Sequence, residues 1–234
     1  MAGLGSIFSY PVLLSLGVPP VNADVTNTAA LIFTGVGASA SSGKELRSQP
    51  KMAGKTAFIS LIGGIVGSLI LVEAPATSFQ KVVPFLILLA AILMQVSGHR
   101  KQVRGGSQNA QLSPLARALR VVAVFLVGLY IGYFGASAGI ILLAILSFTN
   151  NLPFAVNNAI KNFSSLVTNV FSLVIYAMTT RVYWAYVWPL GVGFFIGGYI
   201  GPIFIRKISP RLMRNVISAG AFVLACLLFY TAYL

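Results

Sequence analysis

The sequence predicts an all-α polytopic membrane helical bundle of two inverted repeats with glycine-broken short helices. Three observations predict it: the composition, the lengths of the apolar runs, and a recurrence of the same landmarks about 134 residues apart. Of 234 residues 57% are hydrophobic and 8% charged, and the mean hydropathy is +0.89. A soluble domain covers itself with roughly a quarter charged residues. With three Asp and Glu in the whole chain no such shell can be assembled. The single cysteine, Cys226, excludes an internal disulfide or a CxxC metal site.

The net charge of +13 would suit nucleic acid, but the basic residues sit in short gaps between apolar runs. Lys44, Arg47, Lys51 and Lys55 fill one gap, Arg100, Lys101, Arg104, Arg117 and Arg120 another, and Arg206, Lys207, Arg211 and Arg214 a third. That distribution orients membrane spans. No RNP, zinc-finger or helix-turn-helix signature accompanies it, so no nucleic-acid partner is expected.

A helix needs about 20 apolar residues to cross the hydrocarbon core. By that length the chain parses into spans at 22–40, 55–72, 82–97, 115–134, 154–179, 186–205 and 212–233. Two apolar pieces, 5–16 and 139–148, cover only half to two-thirds of a bilayer. They resemble each other and open a repeat. Gly5 matches Gly139, Pro19 matches Pro153, and Gly63-Gly64-Ile65-Val66-Gly67 matches Gly197-Gly198-Tyr199-Ile200-Gly201; with a two-residue shift Asn22-Ala23 matches Asn158-Ala159. The expected organisation is a first membrane repeat over 1–98, a basic cytoplasmic linker over 99–114 and a second repeat over 115–234. The second short piece follows a full span through Gly135-Ala136-Ser137-Ala138-Gly139, whereas the first follows only Met1-Ala2-Gly3-Leu4, so a preceding helix is expected upstream of Met1.

Charge arithmetic then favours a chain reversal at residues 135–139. If 139–148 merely continued the preceding span, one membrane face would carry ten Lys/Arg and the other five; reversal gives thirteen against two. The second partition obeys the positive-inside rule and places the loops 41–55, 98–120 and 206–214 in the cytoplasm. Each complete half then has five segments, an odd number, which inverts one repeat relative to the other.

Chemistry-bearing residues are few. Asp24, Glu45, Glu73 and His99 lie near span ends or in loops without metal-ligand or acid/base spacing, so neither a metal site nor a catalytic residue is expected. The span from Phe154 carries Asn158, Lys161, Asn162, Ser165 and Asn169 on one helix face, which lipid cannot accommodate. Lys161 either carries its ammonium to the interface along its own stem or faces a cavity and balances an anion. In the first repeat Thr26 and Asn27 are the corresponding candidates, while Asp24 suits the positive end of its helix as a capping charge. A helix beginning at Gly139 or Gly5 inside the membrane would aim free N–H groups at the midplane, with Gly135 as the hinge and Ser137 and Ser6 as hydroxyl donors; small residues at these places also serve plain helix packing. Tyr183, Trp184, Tyr186 and Trp188 form an interfacial aromatic belt, and Gly63, Gly64, Gly67, Gly197, Gly198 and Gly201 allow close helix contact.

The glycine break followed by a short apolar segment and a proline loop, then Ala23 with Thr26-Asn27-Thr28, and again Gly135 to Gly139, Pro153, Asn158-Ala159 and Lys161-Asn162, resembles the TauE/SafE family of sulfite-exporter-like permeases. The resemblance implies a secondary transporter of small organic or sulfur-containing anions, such as sulfite or sulfonates, in the bacterial inner membrane, with no cofactor. The expected anion site comprises Gly5, Ser6, Thr26, Asn27, Gly135, Ser137, Gly139, Asn158, Lys161, Asn162 and Ser165. The expected partners are the small anionic substrate and the lipid bilayer, with a homo-oligomer left open. The other function class is a membrane enzyme or an assembly scaffold, which would gather His99 or the acids into one pocket.

Overall fold

Proline placement and glycine caps set most of the helix boundaries. The computed structural model describes residues 4–74, 81, 85, 88, 92, 114–135, 138–150, 152–205, 215, 219, 220, 222, 223, 225–227, 229 and 230. They form α1 (Leu4–Ser15), α2 (Pro20–Ser41), α3 (Gly43–Ser48), α4 (Pro50–Glu73), α5 (Pro114–Tyr133), α6 (Ala138–Thr149), α7 (Phe154–Thr179) and α8 (Trp184–Ile205), with no strand among the described residues. The chain is therefore an all-α polytopic membrane protein, and α4, α5, α7 and the Trp184–Ile203 stretch of α8 are long and apolar enough to span a bilayer. Polar residues crowd the first turns of α2, which is of comparable length.

Helix α1 ends in a Schellman cap: Gly17 takes φ +79°, its N–H bonds the Leu14 carbonyl, and the Val18 N–H bonds the Leu13 carbonyl. Pro19 then caps α2 with φ −57° and ψ 146°, as Pro153 caps α7 with −53° and 145°. These equivalent caps fix the register of the two long helices at an offset of 134 without slippage. At the offset of 134 that the two prolines share, Asn158 stands where the first half has Asp24. Lys51 and Lys55 lie on α4 instead of in a loop, because Pro50 starts that helix early. Of the predicted spans 82–97 and 212–233, Phe85 and Phe229 meet edge to face at 5.9 Å. Most other residues of these two spans, and 99–113 and 206–214, lie outside the described residues.

The halves interlock. Helix α2 packs along α8, and α7 packs along both α4 and α2. Glycines make these approaches close. A Cβ on Gly63 would stand 2.1 Å from the Phe125 carbonyl oxygen, and one on Gly67 would stand 1.9 Å from that of Leu129, so α4 and α5 touch backbone to backbone. Gly198 does the same against Thr34 on α2. Gly197 departs from the packing expectation, since no described atom lies within 4 Å of where its Cβ would be. Hydroxyl pairs add polar cross-links between α4 and α7, with Ser60 Oγ 3.0 Å from Thr168 Oγ1 and Ser68 Oγ 2.8 Å from Ser172 Oγ.

Candidate functional site: two helix ends inside the bundle

The chain is broken where the glycine string predicts. Helix α5 stops at Tyr133, Gly135 takes φ +69°, and α6 starts at Ala138. The break is held from several sides. Phe134 is fully buried and packs edge to face on Tyr10 at 5.3 Å, and the Tyr176 hydroxyl donates to the Gly132 carbonyl in the last turn of α5. Twelve residues make α6 about 18 Å long, too short to cross a bilayer by itself.

Lys161 meets that N-terminus. It lies seven residues past Phe154, roughly 10 Å along the α7 axis, and is 3% exposed. A Cβ on Gly139 would stand 3.1 Å from its Cδ and 3.6 Å from its Nζ. The ammonium therefore points inward at the start of α6, and the expectation that it runs outward to the headgroups is set aside. Among the described residues it has no ion-pair partner. The first amides of a helix carry about half a positive charge. The lysine amine thus lies beside the positive end of a helix, a place where a negative charge is favoured.

Between α1, α2, α5, α6 and α7 lies a cavity of about 50 Å³, whose polar lining comes from Ser6, Thr34, Lys161, Asn162, Ser165 and Asn169, with Gly35, Gly135 and Gly139 supplying bare backbone. At the ~10–15 Å³ a water requires, this is room for a group of roughly four heavy atoms. Asn162 Nδ2, Ser165 Oγ, Thr34 Oγ1 and Asn169 Oδ1 are buried there without hydrogen-bond partners among the described residues. Buried polar groups are ordinarily paired, so this wall is chemically prepared for a polar guest. Its hydroxyls can donate or accept, and its one charged side chain is a lysine.

The sequence-predicted residues divide. Ser6, Gly135, Gly139, Lys161, Asn162 and Ser165 come together around the cavity. The others do not line it. A Cβ on Gly5 would lie 2.7 Å from a Phe194 ring carbon, so that helix start is covered by an aromatic ring. Thr26 accepts the Tyr183 N–H at 3.1 Å and so secures the entry to α8, because its side chain turns toward the interhelical loop. Asn27 accepts at Oδ1 from the Ser9 hydroxyl, 2.5 Å away. Asn158 is buried away from the cavity wall. Ser137 lies outside the described residues. Asp24 is not a capping group: it is 0% exposed, and neither carboxyl oxygen has a partner among the described residues.

Thr34 and the backbone at Gly35 are cavity residues that the sequence reading passed over. Asn27, Leu31 and Thr34 recur at four- and three-residue steps and share one face of α2, a signal outweighed by the stronger polar stripe on α7.

The family model described as sulfite exporter TauE/SafE matches residues 1–228. The chain is 24% identical over 227 residues to a probable membrane transporter protein, ORF9, of a Sinorhizobium species, covering 96% of this chain and 84% of that protein. It is 26% identical to a probable membrane transporter protein of Haemophilus influenzae, covering 98% and 88%, and 23% identical to the probable membrane transporter protein YfcA of Escherichia coli, covering 100% and 85%. No solved structure matches the chain. The chain belongs to the TauE/SafE family and is a multi-pass membrane transporter protein.

Proposed function

We propose that this member of the TauE/SafE family is a secondary transporter of small anions, of the size and charge of sulfite or a short sulfonate, working by alternating access between its two repeats in the bacterial inner membrane. The observation that carries this reading is Lys161 set against the start of α6 without an acidic partner among the described residues. An anion between the two would accept hydrogen bonds from α6 amides, the ammonium, Asn162 Nδ2 and Ser165 Oγ. The cavity volume favours an oxyanion of a few heavy atoms over a large metabolite. Alternating access follows from the duplicated frame, in which each short helix starts within the bundle and leads through a proline cap into a long helix shared with the other half. The basic loops 41–55, 98–120 and 206–214 face the cytoplasm in this scheme.

The test is a flux and thermal-shift screen of the purified protein against sulfite, sulfate, thiosulfate, sulfonates and carboxylates, with Lys161→Met alongside. At least one small anion should stabilise the wild type and cross proteoliposomes, and Lys161→Met should abolish both effects while inserting normally. Transport undiminished in Lys161→Met would remove the ammonium from the mechanism.

A further inference from the structure

A second buried ionisable group stands apart from the anion cavity. Asp24 lies in the second turn of α2, fully enclosed, and both of its oxygens lack a hydrogen-bond partner among the described residues. An isolated carboxylate in so apolar a setting is very costly, whereas the neutral acid is tolerated. The charge of Asp24 would reach the hydroxyls of Tyr10 on α1, Tyr130 and Tyr133 on α5, and Tyr176 on α7. Among the described residues no basic side chain pairs with it.

Position connects this carboxyl to the cavity. Asp24, Thr28, Leu31 and Gly35 follow one another at four-, three- and four-residue steps along one face of α2, and Leu31 and Gly35 line the cavity. Thr28 bridges the gap: its Oγ1 is buried without a partner among the described residues and lies 3.1 Å from where a Cβ on Gly135 would stand, at the hinge that also lines the cavity. Asp24 is thus about 10 Å along the helix from the level of Leu31. At the equivalent place, 134 residues on, the second half has Asn158, which cannot titrate.

We propose that Asp24 is the proton-carrying group of the transport cycle and that the proton crosses in the same direction as the anion. This rests on the anion-transport reading above. The carboxylate takes up a proton to become the neutral acid on the side where the anion enters, and gives it back to water on the other side. The sign of the coupling follows from electrostatics. An anion brought to Lys161 adds negative charge to a low-dielectric interior shared with Asp24, which disfavours a second negative charge and so favours protonation there. By reciprocity the proton favours the anion.

The experiment uses proteoliposomes containing the full chain, pyranine inside to report pH, and methanesulfonate or sulfate as the anion, neither of which titrates near neutral pH. Wild-type uptake should acidify the interior and should be driven by an inwardly directed proton gradient. Asp24→Asn, close to isosteric, should retain anion counterflow yet lose both the acidification and the response to the gradient, and Asp24→Glu should recover them in part. Wild-type uptake without acidification, or driven by sodium instead, overturns the inference and leaves anion transport standing, as does acidification that persists in Asp24→Asn. Absence of counterflow in the wild type for sulfite, sulfate and sulfonates alike overturns the transport reading and this inference with it.

Discussion

The two short helices of this protein begin at matching glycines, and the molecule treats those beginnings differently. At the start of α1, Asn27, eight residues past Pro19, is engaged by Ser9, whose hydroxyl also lies 2.9 Å from the Gly5 carbonyl, and the Phe194 ring covers Gly5. At the start of α6, Lys161, eight residues past Pro153, lies against Gly139, and Asn162, Ser165 and Asn169 beside it lack partners among the described residues. At the first start Asn27 Oδ1 is engaged by Ser9 while its Nδ2 lacks a partner among the described residues; at the second an ammonium and unpartnered polar groups line the cavity. The two starts share the spacing from proline to long helix, and at the matching position they differ, Asn27 against Lys161.

The largest effect should come from exchanging glycine for alanine at the two starts. In Gly139→Ala the new methyl, 3.1 Å from Lys161 Cδ, displaces the lysine, and anion affinity should fall about tenfold, roughly 1.4 kcal/mol. In Gly5→Ala the methyl meets the Phe194 ring, which should cost about 1–3 kcal/mol of stability with affinity nearly unchanged. Thermal unfolding and isothermal titration on both variants read the contrast, and equal affinity losses would erase the distinction between the ends.

Serine exchange sharpens the same contrast at smaller amplitude. Ser165→Ala removes a hydroxyl that is unpaired among the described residues, so stability should hold while anion affinity drops about threefold to tenfold. Ser9→Ala removes the donor to Asn27 and should lower stability by about 1 kcal/mol without changing uptake. The smallest effect is expected for Thr26→Val, which deprives the Tyr183 N–H of its acceptor: a loss of about 1 kcal/mol or less in unfolding and full transport activity. A transport defect there would return Thr26 to the anion path.

The sequence carried the architecture because membrane helices obey strong one-dimensional constraints. Apolar length set the spans, glycine at 135–139 set the break, and the spacing of Lys161, Asn162, Ser165 and Asn169 set which face of α7 turns inward. Helical periodicity fixes a face and leaves open what that face meets. Thr26, Asn27 and Asn158 occupy polar positions as plausible as Lys161, yet Thr26 is engaged by Tyr183, Asn27 Oδ1 by Ser9, and Asn158 is buried off the cavity wall. Those partners lie on other elements or many residues away, so no local pattern could foretell them. Asp24 is the sharpest case. Composition marked it as one of three acids, near a helix start where a capping role was natural; only the fold, which encloses it fully, left both oxygens without a partner among the described residues. Which groups are polar is written along the chain, whereas which of them stay unsatisfied depends on the neighbours that the fold delivers, because hydrogen bonding is decided over a few ångströms in space.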